Sequence, residues 1–435
     1  MRAQVVVIGS GPAGLSAAQA AAAAGAKVLV IEEAPWAGGH LACRVDTLDS
    51  PPMFAGRRAD QVARDLLGAA ELSGATVQVR TLAWGLFPGT PIIVAVCRDG
   101  LVEPIEAESV VVATGSLPVP YPFTGWTLPG VTTASAVERL INRYGFIPGR
   151  RAVVVGDTQE ARRVAWLLDL CGVAVQQVRG IDRASGRERV EHVTVGGRII
   201  PADLIILAVG RMPQVELLNA AGCPVGSHGT PDYDPHTGRT PISGVFVAGS
   251  AAGTGSLEMS IWSGIVAGTS AAEHVGVLTK QEAEIRRRDL LRQKPPTTYL
   301  VTPNWALSGD AHELICRCEE VPRVKVEAAI MSGARTVDDV KRMTRCGMGF
   351  CQGKNCTHSV MKLLKEFGSS VLLPTEPGSV WTVLGQEDAA SVPRPRPMRL
   401  RPPVRPIRLG NLAAAGRDVS VLEWAIHPEG EEPRQ

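Results

Sequence analysis

Nine cysteines are present, and five of them fall between Cys316 and Cys356, while Cys43, Cys97, Cys171 and Cys223 are scattered. Cys316-Arg317-Cys318 is one close pair. Cys351 and Cys356 form a second, within Arg345-Cys346-Gly347-Met348-Gly349-Phe350-Cys351-Gln352-Gly353-Lys354-Asn355-Cys356. Two close pairs separated by about one helix–turn–helix can converge four thiolates on one centre, and in a reducing compartment such crowding points to metal rather than disulfides. Glycines 347, 349 and 353 let the backbone wrap tightly and turn N–H groups toward sulfur, which favours a reduced iron–sulfur cluster. Zinc is the competitor, but its usual knuckle has two to four residues between cysteines, unlike Cys-x-Cys. Cys316, Cys318, Cys351 and Cys356 are therefore the expected ligands of a [2Fe–2S] cluster. Cys346 breaks the paired spacing and reads as a small buried residue. Lys341, Arg342 and Arg345 beside the cluster favour its more negative state, although a solvated helix face accounts for them equally.

The second constellation is Gly9-Ser10-Gly11-Pro12-Ala13-Gly14, between the β-rich run Gln4–Ile8 and a helix expected over Gly14–Ala24. The first glycine permits a tight turn, the second lets a pyrophosphate approach the backbone, and the third lets helix and strand pack closely. The helix N-terminus adds free N–H groups and a favourable dipole. Glu32, with Glu33 beside it, closes the apolar run Lys27–Ile31, where a carboxylate can accept the hydroxyls of an adenosine ribose. A second βαβ unit is expected from strand Ala152–Val155, helix Glu160–Leu170 and strand Val173–Val178. Its turn reads Gly156-Asp157-Thr158-Gln159-Glu160-Ala161, with Thr158 in place of the middle glycine, and no acid closes the next strand, where Gln176, Gln177, Val178 and Arg179 stand. NAD(P) binding is not expected there.

These sites require a two-domain α/β body. The runs Ser109–Ala113, Leu204–Val209 and Val245–Ala248 read as buried strands, the last leading to a small-residue helix near Leu257–Ala272. The expected organisation is a discontinuous nucleotide-binding domain over 1–118 and 243–275, with a degenerate NAD(P)-binding-like domain over 119–242 inserted in it. A linker over 276–312, a [2Fe–2S] domain over 313–370 and an arm over 371–435 follow. From Pro393 to Arg408 there are six Pro and six Arg without an acid, so this stretch should be extended and suited to wrapping over a protein partner.

With 435 residues and 45% hydrophobic content, two or three well-buried domains are expected. A formal charge of +2 provides no field to recruit nucleic acid or anionic lipid. The Ala17–Ala24 stretch imitates a signal peptide, but Gly9, Gly11, Pro12 and Gly14 interrupt it, and no other apolar run reaches the ~18 residues of a membrane span. Cytoplasm is the default, with membrane association only through partners.

Over residues 1–272 the chain resembles the two-dinucleotide-binding-domain flavoproteins related to the glutathione and thioredoxin reductases. The resemblance implies FAD, with Gly38-Gly39-His40-Leu41 and Ala113-Thr114-Gly115 lining it and Leu82 near the adenine. Two departures count. No Cys-x-x-Cys accompanies the site, which excludes disulfide reduction. Ser250 follows Gly249 where the family places an Asp, which leaves ATP or ADP as an alternative to FAD.

The segment Cys-Arg-Cys-Glu-Glu, followed by Lys341-Arg342, Thr344-Arg345 and Gly-Met-Gly-x-Cys-Gln-Gly, resembles the bacterioferritin-associated-ferredoxin-type domain in the large subunits of heteromeric amine dehydrogenases. That family includes opine oxidase, proline and D-hydroxyproline dehydrogenases and hydrogen cyanide synthase, and the likeness extends to Arg401–Ile407. It implies an electron-transfer subunit of an oxidoreductase acting on CH–NH donors. Oxidation of a secondary amine or D-amino acid then takes place on an FAD-containing, amino-acid-oxidase-like beta subunit, and the assembly has room for one further small subunit. The eight His are dispersed, and none is expected to form a constellation with an acid, so no catalytic base is assigned. A cyanide-forming subunit, a self-contained NAD(P)H-dependent reductase and a non-catalytic nucleotide-binding scaffold are the alternatives.

Overall fold

The computed structural model describes residues 1–226, 229–300, 309–368, 372–373, 382–383 and 395–415. Its first layer is a seven-stranded sheet. The strand Arg2–Ile8 lies parallel between Val28–Ile31 and Leu101–Val112, and Val5, Val6 and Val7 are fully buried. Parallel strands covered on both faces need such continuous apolar runs. The expected strand at Ser109–Ala113 is the inner half of the longer Leu101–Val112. Its outer half alternates exposed and buried residues and pairs antiparallel with Ile92–Arg98, which pairs in turn with Thr81–Phe87. Val245–Val247 returns to pair with Val110–Val112, so the intervening domain is inserted in the first.

The inserted domain is a parallel sheet in the order Ala174–Val178, Arg151–Val155, Leu204–Leu207, Val131–Thr133, with helices Ala134–Tyr144 and Gln159–Leu170 and a small antiparallel meander over residues 183–201. Ala174–Val178 is its edge strand, which is why Gln176 and Gln177 stand exposed there. The third module packs helices Arg323–Met331, Val337–Thr344 and Thr357–Gly368 around Val326, Ile330, Val340, Val360 and Leu363. No helix among the described residues is long and apolar enough to cross a membrane.

The alanine-rich first helix, Pro12–Ala22, starts two residues before the expected Gly14, because the fixed φ of Pro12 suits a first helical turn. Its small side chains let Leu257–His274 cross at backbone distance. A Cβ on Gly264 would lie 2.2 Å from Ala13 O, and one on Gly268 2.2 Å from Ala17 O.

The 276–312 linker carries helix Lys280–Arg292, opened by a Thr279/Glu282 capping box. That helix is fastened to Leu257–His274 by a 2.6 Å pair between the buried Arg287 and Glu273 and by the Trp262 Nε1 hydrogen bond to Leu290 O at 2.8 Å. The arm over 395–408 is extended, but it wraps over its own chain. Met398, Leu400 and Val404 are buried in the body's core, and helix Leu409–Ala415 follows. Too short to enclose a core, the segment inserts three apolar side chains into an existing one. Most of the arm's remainder lies outside the described residues.

Replacing Gly268 with Leu should force the two helices apart and lower stability by about 3 kcal/mol. A thermal melt of the full-length protein checks this, and an unchanged midpoint would mean that the crossing tolerates separation.

Candidate nucleotide and iron–sulfur sites

The glycines of the first turn have distinct duties. A Cβ on Gly9, at φ +103°, would lie 2.4 Å from Ala113 O, and one on Gly14 would lie 1.9 Å from Gly9 O, so both are needed for close backbone packing. Gly11 differs: a Cβ there would meet nothing within 4 Å, so its Cα faces an open cradle. This is the geometry a pyrophosphate requires. Gly39 packs against Gly11, where a Cβ would lie 2.8 Å from Gly11 Cα, and Leu41 is buried behind it. Gly249 closes the other side against Ala13, with Ser250 half-buried in the same turn. Thr114 Oγ1 donates to Gln214 O at 2.7 Å, and a Cβ on Gly115 would be unobstructed. Leu82 lies half-buried in the Thr81–Phe87 strand.

Glu32 is buried, and its carboxylate accepts from Ser10 N–H at 3.0 Å, Ser10 Oγ at 2.7 Å and Ala34 N–H at 2.8 Å. These bonds fix it beneath the turn. Glu33 points outward and pairs with Arg405 of the arm at 2.9 Å.

His40 corrects the expectation that no histidine meets an acid. Its Nε2 lies 2.7 Å from Glu138 Oε2, a partner 98 residues away on the inserted domain. Glu138 is 1% exposed and also accepts from Arg163 Nε at 2.5 Å, while Asn142 Nδ2 donates to Cys43 O at 2.8 Å. Burial lowers the His40 imidazole, against the pull of Glu138. For Glu138, burial raises the carboxyl, but the His40 hydrogen bond and the Arg163 charge overcome it and hold it at about 2. This network locks the two domains together.

The second turn is satisfied by its own chain. Thr158 Oγ1 donates to Ala208 O at 2.8 Å and accepts from Ala161 N–H at 3.0 Å, so the residue in place of the middle glycine caps the helix. Asp157 pairs with Arg162, Glu160 with Arg211, and Gln177 Nε2 donates to Gly156 O.

All four expected ligand cysteines converge. Cys318 Sγ lies 3.8 Å from Cys316 Sγ and 3.5 Å from Cys351 Sγ. The sulfurs of Cys316, Cys346 and Cys356 lie within 4.8 Å of one another, all three residues buried. Cys346, set below the other four on spacing, is buried as expected and brings its sulfur beside those of Cys316 and Cys356. Cys346 and Cys356 hold the Cys316 thiol low, while burial and Cys351 push Cys318 up to about 12. Packed this closely, the thiols resist shared ionisation, and a cationic centre relieves that repulsion. The residues therefore fit a metal cluster. A Cβ on Gly349 would lie 2.4 Å from Cys318 Sγ, and Met398 of the arm fills the hollow over Gly347 and Gly353.

Gly349→Ala and Cys351→Ser should each lose most iron and the visible cluster spectrum; if Cys351→Ser keeps both and a Cys346/Cys351 double variant loses them, Cys346 is a ligand. Zinc without labile sulfide would overturn the cluster. Because the folded Glu138 titrates at about 2 instead of its ordinary 4.5, its charge stabilises the fold fully above pH 4.5, and that contribution is lost as pH falls toward 2. Glu138→Gln should cost about 3 kcal/mol at neutral pH, measured by denaturant unfolding, with the gap narrowing below pH 4.5. A pH-independent gap would assign the effect to packing.

A pyridine nucleotide-disulphide oxidoreductase family model matches residues 3–158 and 157–274, and a BFD-like [2Fe-2S] binding domain matches residues 314–366. One subunit of the opine oxidase of Agrobacterium tumefaciens (strain Ach5) is 29% identical over 94% of this chain and 91% of its own length. The alpha subunit of the sarcosine oxidase of Rhizobium meliloti (strain 1021) is 27% identical over 80% of this chain and 38% of its own. The solved L-proline dehydrogenase from P. horikoshii shares the fold, with a TM-score of 0.78 over 95% of this chain and 79% of that one at 24% identity. The chain belongs to the pyridine nucleotide-disulphide oxidoreductase family and carries a BFD-like [2Fe–2S] domain behind its two nucleotide-binding folds.

Proposed function

We propose that this chain is the electron-transferring subunit of a heteromeric dehydrogenase for a secondary amine or D-amino acid, with substrate oxidation on a separate FAD-containing, amino-acid-oxidase-like subunit. The observation that carries the reading is the thiol centre around Cys316, Cys318, Cys351 and Cys356, docked on a flavoprotein-type body. The self-capped Thr158 turn supports it, because a pyridine nucleotide would have to displace that side chain. The relatives named as subunits of opine and sarcosine oxidases support it too, both substrates being secondary amines.

In this reading the Gly9–Gly14 turn, Glu32, Glu33, Gly39, His40, Leu41, Leu82, Thr114, Gly115, Gly249 and Ser250 hold FAD, with ATP or ADP the alternative because no acid follows Gly249. A [2Fe–2S] centre passes single electrons and a flavin one or two, so together they couple a two-electron oxidation to one-electron carriers. Cys318 and Cys351 are the partly exposed thiols, whereas Cys316, Cys346 and Cys356 are buried. Gly349 leaves no side chain over Cys318, which keeps that edge within reach of a partner.

The test is affinity purification of the tagged chain from its native host. A flavoprotein partner should co-purify, and dye reduction by opines, sarcosine or proline should require both chains. Rapid bleaching of the isolated chain's flavin by NADH would replace this reading with a self-contained reductase.

A further inference from the structure

The C-terminal arm passes the end of the second strand, which follows the first nucleotide turn. Val404 is buried, and its N–H donates to Trp84 O at 3.0 Å. Trp84 lies in the Thr81–Phe87 strand, whose first residue donates its N–H to Glu32 O at 2.8 Å. Arg405 is thereby delivered to the strand end that carries Glu32 and Glu33, and its Nη2 reaches both oxygens of Glu33, at 2.9 and 3.0 Å. The Arg405 side chain is 21% exposed, while that of Glu33 is 52% exposed and offers a free side. Pro402, Pro403 and Pro406 flank the site and restrict the backbone, so little ordering remains to be done when a ligand arrives.

In a fold of this kind the adenosine half of a dinucleotide lies against the end of the second strand, beside the acid that accepts its ribose. That is where Arg405 stands. We infer that Arg405 is a nucleotide-binding residue: the arm closes over the adenosine half, and the guanidinium lies beside the adenine and its ribose, oriented by Glu33. A planar guanidinium suits this place because it stacks on an aromatic base and donates hydrogen bonds at its rim. The same arm seats Met398 on Gly347 and Gly353, and its Val404 carbonyl accepts from Lys354 Nζ at 3.4 Å, so the segment that closes the nucleotide site also clasps the cluster loop. The inference rests on the nucleotide reading of the Gly9–Gly14 turn.

The experiment is calorimetric titration of the full-length protein, prepared free of nucleotide, with FAD, ADP and FMN, wild type beside Arg405→Ala and Arg405→Lys. Arg405→Ala should weaken FAD and ADP about tenfold, with Arg405→Lys intermediate. FMN, which lacks adenosine, should respond equally in all three proteins, and iron per chain and the visible spectrum should stay at wild-type values. Equal ADP affinity in wild type and Arg405→Ala overturns the inference and leaves the nucleotide reading standing. A wild type that binds neither FAD nor ADP overturns both. Iron loss together with weaker FMN binding in Arg405→Ala would make the residue structural and overturn the inference as well.

Discussion

Backbone-to-backbone contact at the start of the first helix is the constraint on which the rest depends. Glycines from three distant stretches meet there: Gly9 and Gly14 in the turn, Gly39 in the following loop, and Gly249, Gly264 and Gly268 after the inserted domain. Each occupies a position where a Cβ would lie within 3 Å of another atom. The chain leaves the first domain after Val112 and returns at Val245 to pair with the same strand, and these surfaces close beside that return at short range. The open face of Gly11 is what the close packing of the others leaves over, so the cradle is a by-product of tight packing around it.

The thiol centre obeys a different rule. Its sulfurs repel shared ionisation, so the surrounding loop must be held from outside. Arg345, Gly347, Gln352 and Gly353 adopt left-handed backbone, which folds the loop tightly around the sulfurs. The holding comes from three directions. Trp126 Nε1 donates to Leu314 O at 2.8 Å from the inserted domain, Lys354 pairs with Glu216 at 3.1 Å, and Met398 packs down from the arm. The module is thus tethered to the inserted domain and to the arm.

Much of this is legible in the sequence, for physical reasons particular to each element. Val5 to Ile8 and Val110 to Val112 announce buried parallel strands because both their faces are covered, and the GxGxxG turn declares itself because Gly9 and Gly14 meet the demands of close packing while Gly11 leaves an open face. Cys316 and Cys318 are readable because ligand spacing is local. What escapes is long-range. His40 and Glu138 are 98 residues apart and meet only through the docking of two domains. A spacing rule sets Cys346 aside, although a loop turning through left-handed residues carries a third sulfur inward as easily as two. The arm's composition describes an extended chain correctly but does not say whose surface it covers, because three apolar residues among Arg and Pro carry no information about the core they enter.

The inserted domain then takes on a structural meaning independent of any ligand. Thr158 commits its hydroxyl proton to Ala208 O and its lone pair to Ala161 N–H, and Glu160 and Arg211 satisfy each other across the same turn. A pyridine-nucleotide domain that must swing toward a flavin needs an interface that opens; here Glu138 of the inserted domain meets His40 of the first, Arg163 reaches Asp46 at 3.9 Å and Asn142 Nδ2 donates to Cys43 O, contacts that opening would break. A domain with a self-satisfied turn is well suited to be a platform: it supplies Trp126 and Thr124 to seat the start of the cluster module, through Leu314 O and Asp310 Oδ2 at 2.8 and 2.9 Å.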